Sequence, residues 1–364
     1  MEKLSLSQID PSLVYDGSIT EEDIAFYDIK KLPVDFYGLY DPLGEVPYKR
    51  MPVDAAERVS DRVAALNLNT AGGRIRFSTD SAYVAISVTV PKATNAIMTA
   101  VNVRGFDLYE DFPTTGQSKF RGVYKPGGKN PEGYQGIIKF TEKKMRYFTL
   151  NFPCYAQVHE VLLGLQKDSV IGEGMKYANS KPIVYYGSSI TQGAAACRPG
   201  NTYQNMISRR FNFDYHNYGF SGSGKAEPAM VEYLAGLDMC CFVCDYDHNT
   251  PNAEYLHKTH FPMYEQIRAA HPDIPYIMIS RPDFDADYNQ SILRRDAIID
   301  SFRRAYGAGD KLVYYIDGAG IFAGEYEDCC TVDGTHPNDL GFMLMSEAII
   351  AVIKRSMTDG AKYE

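Results

Sequence analysis

The stretch "PIVYYGSSITQG" (residues 182–193) lies at the middle of a chain of 364 residues. It opens as an apolar run, Gly187 allows a sharp backbone turn at its end, and two hydroxyls, Ser188 and Ser189, follow. Such a run reads as a buried strand. A serine where it ends is a nucleophile, a phosphate-binding hydroxyl or a helix cap, the last being a common role for serine. The surrounding sequence decides between them.

Working outward, four more apolar runs follow: "DYHNYGF" (214–220), "MCCFVCDY" (239–246), "PYIMISRP" (275–282) and "KLVYYID" (311–317). Helical periodicity lies between them at 202–211, 226–236, 255–270 and 291–306, with a last helix at 339–357. Strands alternating with helices predict βαβ units and a parallel sheet covered on both faces. Right-handed crossovers then give a three-layer, doubly wound α/β domain.

The first half has another rhythm. "GGRIRFSTDSAYVAISVTV" (72–90), "AIMTAVNVRGFDLYED" (96–111), "GYQGIIKFT" (133–141), "MRYFTLNFP" (145–153) and "EVLLGLQ" (160–166) read as strands between Gly, Pro and Asn turns. They predict an antiparallel, jelly-roll-like β-sandwich with one helical pattern near 54–66. The polar stretch "GEGMKYANSKP" (172–182) reads as a linker, so the expected domains are 1–175 and 176–364. Within the first half, 110–136 interleaves Phe112, Phe120, Tyr124 and Tyr134 with basic residues. A loop of that kind leaning over Ser189 would offer aromatic faces to a sugar.

Composition narrows the function. A net charge of −9 argues against nucleic-acid or anionic-membrane partners. No apolar stretch approaches the roughly 20 residues that span a bilayer. The start "MEKLSLSQIDPSLVYDG" (1–17) lacks a basic region followed by an apolar core, which leads to a cytoplasmic expectation. Seven cysteines, an odd number, agree with a reducing compartment. Cys240, Cys241, Cys244, Cys329 and Cys330 read as buried thiols, without the spaced pairs and histidines of a zinc site. No metal or organic cofactor is implied, and nothing in the sequence sets an oligomeric state.

In a doubly wound sheet, ligands sit beyond the carboxyl ends of the strands. The loop after the second strand, "NYGFSGSGKAEP" (217–228), comes close to a phosphate-binding loop, but Ala226 stands where a hydroxyl would bind magnesium. The loop after the third carries Asp245, Asp247, His248 and Asn249. After the last strand comes "TVDGTHPNDLGF" (331–342), where a turn would set Asp333 beside His336 and leave Nε2 free as a base. Pro337 and Asp339 read as the start of the final helix. Together these loops supply a nucleophile, a base, an orienting acid and oxyanion donors, the groups needed for acyl transfer.

This order of blocks resembles the SGNH hydrolases, or GDSL esterases. "GSSITQG" is similar to their first block, with Ser188 where an Asp usually stands and Ser189 at the nucleophile. Gly222 matches the second block, Asn249 the third, and Asp333 with His336 the last. "RGFDLYED" (104–111) looks like the Gly-x-Asp-Leu-Tyr pattern of a β-sandwich domain that precedes some SGNH esterases. The resemblance implies a catalytic triad of Ser189, His336 and Asp333. It also implies an oxyanion hole of Ser189, Gly222 and Asn249. The implied activity is that of a serine carbohydrate esterase removing acetyl groups from xylo- or manno-oligosaccharides. An acyltransferase of the same fold is the alternative, and a non-catalytic glycan-binding protein the second.

Overall fold

The first half contributes ten strands to the computed structural model, which describes residues 19–127 and 130–363. The opening stretch 1–17, with the expectation drawn from it, lies outside the described residues, as do Gly128 and Lys129 of the 110–136 stretch. The strands are β1 (Ile24–Asp28), β2 (Asp35–Tyr37), β3 (Arg74–Thr79), β4 (Tyr83–Thr89), β5 (Phe106–Phe112), β6 (Gln117–Tyr124), β7 (Gly133–Lys139), β8 (Arg146–Asn151), β9 (Glu160–Gln166) and β10 (Ile171–Glu173). One sheet runs β1-β9-β4-β7, the other β10-β3-β8-β5-β6 with β2 beside β3. Every pairing is antiparallel. Alternate residues face inward, so Val84, Ile86 and Leu163 of one sheet meet Phe77, Leu108 and Phe148 of the other. Each such side chain contributes about 1.5–3 kcal/mol by leaving water. This is the expected sandwich.

Three local readings change. Residues 96–105 are not a strand: Thr99 caps a short helix, α3 (Ala100–Arg104), by accepting from the Asn102 amide, and β5 begins only at Phe106. The single helix near 54–66 is two, α1 (Val53–Val59) and α2 (Asp61–Asn67), because Ser60 is extended and caps the second. The polar stretch 172–182 opens inside β10, which pairs with β3.

The second half follows the predicted alternation. Its elements are β11 (Ile183–Gly187), α4 (Ser189–Gln192), α5 (Tyr203–Phe211), β12 (Tyr215–Gly219), α6 (Pro228–Ala235), β13 (Cys241–Asp245), α7 (Ala253–Ala270), β14 (Tyr276–Ile279), α8 (Tyr288–Gly307), β15 (Val313–Ile316) and α9 (Asp339–Thr358). The five strands form one parallel sheet in the order β12-β11-β13-β14-β15. Both faces are covered. Ile183 and Tyr185 pack with Phe342, Met345 and Ile349 of α9, while Val184 and Tyr186 pack with Met230 and Leu234 of α6. Met51, Ala55, Ala56 and Val63 from the first half join that second cluster. Among the described residues, no helix is long and apolar enough to cross a membrane.

Much of the 110–136 stretch is paired strand. Tyr124 and Tyr134 are buried in the sandwich core, their hydroxyls on the carbonyls of Val84 and Arg104. Phe120 packs edge-on against Tyr109 and under the Arg198 guanidinium, 4.0 Å away. Two of the aromatics expected over Ser189 are thus taken up by packing, while Phe120 stays exposed. All seven cysteines are free, and Cys329, expected to be buried, is exposed at the end of a short turn.

Buried arginines knit the halves together. Arg50 donates to the carbonyls of Asn217 (3.1 Å) and Gly219 (2.6 Å) and lies over the Phe220 ring. Arg74 pairs with Asp214. Asp107 and Tyr109 of the "GFDLY" motif hold Arg198, and Asp107 also accepts from the Gly200 amide (2.7 Å) and Asn151 Nδ2 (2.7 Å). The motif therefore latches the sandwich to the segment leading into α5. Asp107→Ala takes the carboxylate from the partly buried Arg198, which keeps Tyr109, and leaves the Gly200 amide and Asn151 Nδ2 without this acceptor; it is expected to destabilise the protein by about 1–3 kcal/mol. Urea unfolding measures this; a change below 1 kcal/mol, as for an exposed ion pair, would sink the latch.

Candidate active site

In the order β12-β11-β13, the chain crosses from β11 to β12 on one side and then back past β11 to β13 on the other, which opens a crevice at the carboxyl ends of β11 and β13. Gly187 sits at that end because a Cβ there would lie 2.0 Å from the Asp245 carbonyl oxygen. Ser188, fully buried, is the N-cap of α4 and accepts from the Ile190 amide at 3.1 Å. Ser189 is the first residue of that helix and is only partly buried. The two hydroxyls thus differ: one holds the turn and the other faces outward.

The loop before α9 brings His336 to Ser189. His336 Nε2 lies 3.0 Å from Ser189 Oγ, and Nδ1 lies 2.8 Å from Asp333 Oδ2. The other carboxylate oxygen of Asp333 accepts from the backbone amides of His336 (2.8 Å) and Thr335 (3.1 Å). One side chain therefore shapes the turn and aims the ring. Burial pulls the Asp333 carboxyl upward, but these hydrogen bonds outweigh it and hold the group below its usual range. Asp333 is then ionised at neutral pH, Nδ1 carries the proton, and Nε2 is free to accept from Ser189. As expected, α9 starts at Asp339; Asn338 is its cap, and Asp339 accepts from Cys197 N and Asn201 Nδ2.

Three candidate donors lie in the loops that follow β11, β12 and β13. Among the described residues, neither the Ser189 nor the Gly222 amide has a hydrogen-bond acceptor. Gly222 has φ +66°, a conformation that presents its N–H at little cost only in glycine. Asn249, in the turn after β13, donates one amide proton to the Phe220 carbonyl at 2.9 Å and, among the described residues, has no acceptor for the other. The glycine-rich loop is no phosphate cradle, because the Ser223 and Gly224 amides are both used on the Phe220 carbonyl.

Asn249→Ala removes one of these donors. If the site works on an oxyanion, kcat is expected to fall about 100- to 1,000-fold. KM should move much less, because the oxyanion exists only in the transition state. Steady-state kinetics with a thermal melt check it: a lowered Tm with unchanged activity per folded molecule marks Asn249 as structural only.

Of the residues that support the site, Asp245 and His248 were named in the sequence, while Tyr155, Gln192 and Asp283 were not. Tyr155, from the sandwich half, donates to the Ser189 carbonyl at 3.1 Å; burial pushes its phenol far up, so it stays a donor. Gln192 accepts from Ser221 N and donates to Asn69 Oδ1 and the Cys154 carbonyl, tying α4 to the Gly222 loop and to the sandwich. Asp245, buried and pushed up to about 7, meets Thr191 Oγ1 at 3.2 Å. His248 stands between Asp247 and Asp283. Asp283 lies in the loop after β14, a carboxyl-end loop that the strand-end rule marks as a candidate. Tyr155 carries no such mark, since only folding brings it to α4. Beside Asp333, a groove of about 410 Å³ is lined by Phe322, Val332, Asp285, Glu327 and Asp328. The Glu327 carboxyl is held up by its hydrogen bond with Asp285.

Residues 180–354 match the GDSL-like lipase/acylhydrolase family, and residues 24–171 match the GxDLY domain, the N-terminus of SGNH-hydrolase-type esterases. No curated protein matches the chain. The structure is similar to one from Bacteroides ovatus described as a GDSL-like lipase, at 28% identity and TM-score 0.81, over 91% of this chain and 98% of that one. It is similar in fold to the salicylyl-acyltransferase of a tetracycline biosynthetic pathway (17% identity, TM-score 0.76, 94% of this chain and 100% of that one). It also shares its fold with a family two carbohydrate esterase from Clostridium thermocellum in complex with cellohexaose (14% identity, TM-score 0.59, 79% and 93%).

Proposed function

We propose, for a chain of the SGNH/GDSL hydrolase type that carries a GxDLY N-terminal domain, that it is a serine esterase acting on O-acetylated carbohydrates. The observation that carries this is the Ser189–His336–Asp333 relay, with two unpartnered backbone amides and the Asn249 amide in the loops at the same strand ends. Ser189 Oγ attacks the ester carbonyl as His336 Nε2 takes its proton. Asp333 keeps the ring in the productive tautomer and stabilises the imidazolium. The carbonyl oxygen, now an oxyanion, is bound by the amides of Ser189 and Gly222 and by Asn249 Nδ2. His336 returns the proton to the departing sugar oxygen, leaving an acyl-Ser189 ester. Water, deprotonated by the same ring, then releases the acid and restores the hydroxyl.

A sugar as leaving group is supported by the open groove beside Asp333, whose carboxylates can accept from hydroxyls. The fold shared with a carbohydrate esterase holding cellohexaose points the same way. Transfer of the acyl group to an alcohol uses the same residues, and the fold shared with an acyltransferase keeps that reading in play. Incubation with acetylated xylo- and manno-oligosaccharides, with products weighed by mass spectrometry, tests the proposal. Loss of single acetyl groups is expected. Release from p-nitrophenyl acetate without any sugar deacetylation would overturn the substrate class. Partition into an added alcohol in preference to water would favour transfer.

A further inference from the structure

Beneath Asn249 lies a buried cluster of charge. His248 is sandwiched between two carboxylates, with Nε2 2.7 Å from Asp283 Oδ1 and Nδ1 3.1 Å from Asp247 Oδ1. The side chain of His248 is 7% exposed and both carboxylates are fully buried. Nε2 is hydrogen-bonded to Asp283, whereas Nδ1 and Asp247 Oδ1 face each other at contact distance without hydrogen-bond geometry; an ionised carboxylate only accepts, so a lone pair on Nδ1 would meet it with repulsion and a proton there meets it with attraction. A neutral imidazole has one N–H; only the imidazolium has two.

From this we infer that His248 is a positioning residue, held as an imidazolium between Asp247 and Asp283, and that it fixes the turn presenting Asn249. The inference rests on the reading of Asn249 as an oxyanion donor. The turn spans Asp247–Asn249, so His248 is its middle residue. Its other restraints are cationic or polar as well. Arg281 bonds Asp283 through its side chain and Asp247 through its backbone amide (3.0 Å), and Arg294 donates to the carbonyls of Asp247 and Thr250. Without a proton on each ring nitrogen, one carboxylate would face a lone pair and push the turn open.

The surroundings favour the proton over a metal ion. The ligand atoms of Asp245, Asp247 and His248 lie within 4.8 Å of one another, close enough to raise that alternative. Asp247 and Asp283, with Asp245 pushed up to about 7, supply at most three negative charges, which Arg281, Arg294 and an imidazolium already match. A divalent ion beside a neutral ring would leave excess positive charge in the interior, where it is costly. Burial alone would push His248 down; Asp283 and Asp247 outweigh it and hold the ring up at about 10. His260, also buried near Asp247 but bonded to no carboxylate, is instead pushed by burial down to about 4. Two buried histidines of one chain thus differ because only one is bracketed by carboxylates.

The test combines spectroscopy and kinetics. With ¹⁵N-histidine labelling of the full chain, one of the seven histidines is expected to stay doubly protonated at pH 8.5, and its signals should vanish in His248→Gln. EDTA or added Zn²⁺ should leave them unchanged. A neutral ring, or one that responds to either reagent, overturns the inference. In Asp283→Asn, kcat should fall about 10- to 100-fold through misplacement of the donor, with KM within about twofold. A group raised by its partners gives its contribution at low pH and loses it as the pH rises through the native value. The variant should therefore gain an alkaline decline in kcat that the parent lacks, reversed on return to pH 6. A uniform loss at every pH marks a structural role and overturns positioning, as does an unchanged kcat. Should Asp283→Asn not fold, His248→Gln is measured in its place, with the same fall in kcat expected. An Asn249→Ala variant of full activity overturns the positioning role through failure of the oxyanion reading, while the NMR result separately decides the charge of His248.

Discussion

Replacing Ser189 by alanine is expected to lower kcat for ester hydrolysis by about 10⁴- to 10⁶-fold, because nucleophile and base act as one unit. Stability should hardly change. Ser189 is only partly buried, and its hydroxyl bonds to His336, not to the helix cap. Ser188→Ala is the control with the opposite signature. It removes the N-cap of α4, costs about 1 kcal/mol and leaves activity per folded molecule close to the parent's. Hydrolysis of p-nitrophenyl acetate, active-site labelling by a phosphonate and thermal melts separate the two. Near-normal turnover in Ser189→Ala, or loss of labelling in Ser188→Ala alone, would assign the chemistry to the wrong hydroxyl.

Asp333→Asn is expected to cost about 10⁴-fold in kcat with little change in Tm. The reason is a tautomer. The variant keeps one side-chain oxygen, which stays with the backbone amides of Thr335 and His336 because they need an acceptor. Its amide nitrogen must then face Nδ1 at the position Oδ2 held, and it can only donate. His336 answers by moving its proton to Nε2, where it can no longer accept from Ser189. The turn survives while the base is disabled. Pre-steady-state acylation kinetics measure the loss, and ¹⁵N chemical shifts of His336 read the proton's position. Activity within tenfold of the parent would show that Asp333 serves the turn alone.

Both variants probe groups that were visible as residue types in the sequence. Ser189, Gly222, Asn249, Asp333 and His336 all follow strands of a recognisable βαβ pattern, and the carboxyl-end rule marks such loops. The supporting groups were harder to read. Thr99 and Ser60 show why local boundaries slipped: a single capping hydroxyl turned a strand-like run into α3 and split one helix into two. Phe120, Tyr124 and Tyr134 looked like a displayed aromatic surface, yet strand pairing turned two of them inward and set the third beneath Arg198.

The sequence by itself determined the alternation of strands and helices in the second half, since periodicity and turn chemistry act over a few residues at a time. It also determined the Asp333–His336 pair, because a turn sets residues three apart side by side. Only the tertiary structure decided which loops meet. Ser189 and His336 are 147 positions apart, and Arg50 reaches the Gly219 carbonyl across 169. Packing of α9 back across the sheet onto β11 brings the first pair together, and docking of the sandwich brings the second. The His248 bridge depends on β13 and β14 lying side by side, so that the loops after them share one buried space. No local pattern records that adjacency; it follows from burying both faces of the sheet and pairing every charge that burial encloses.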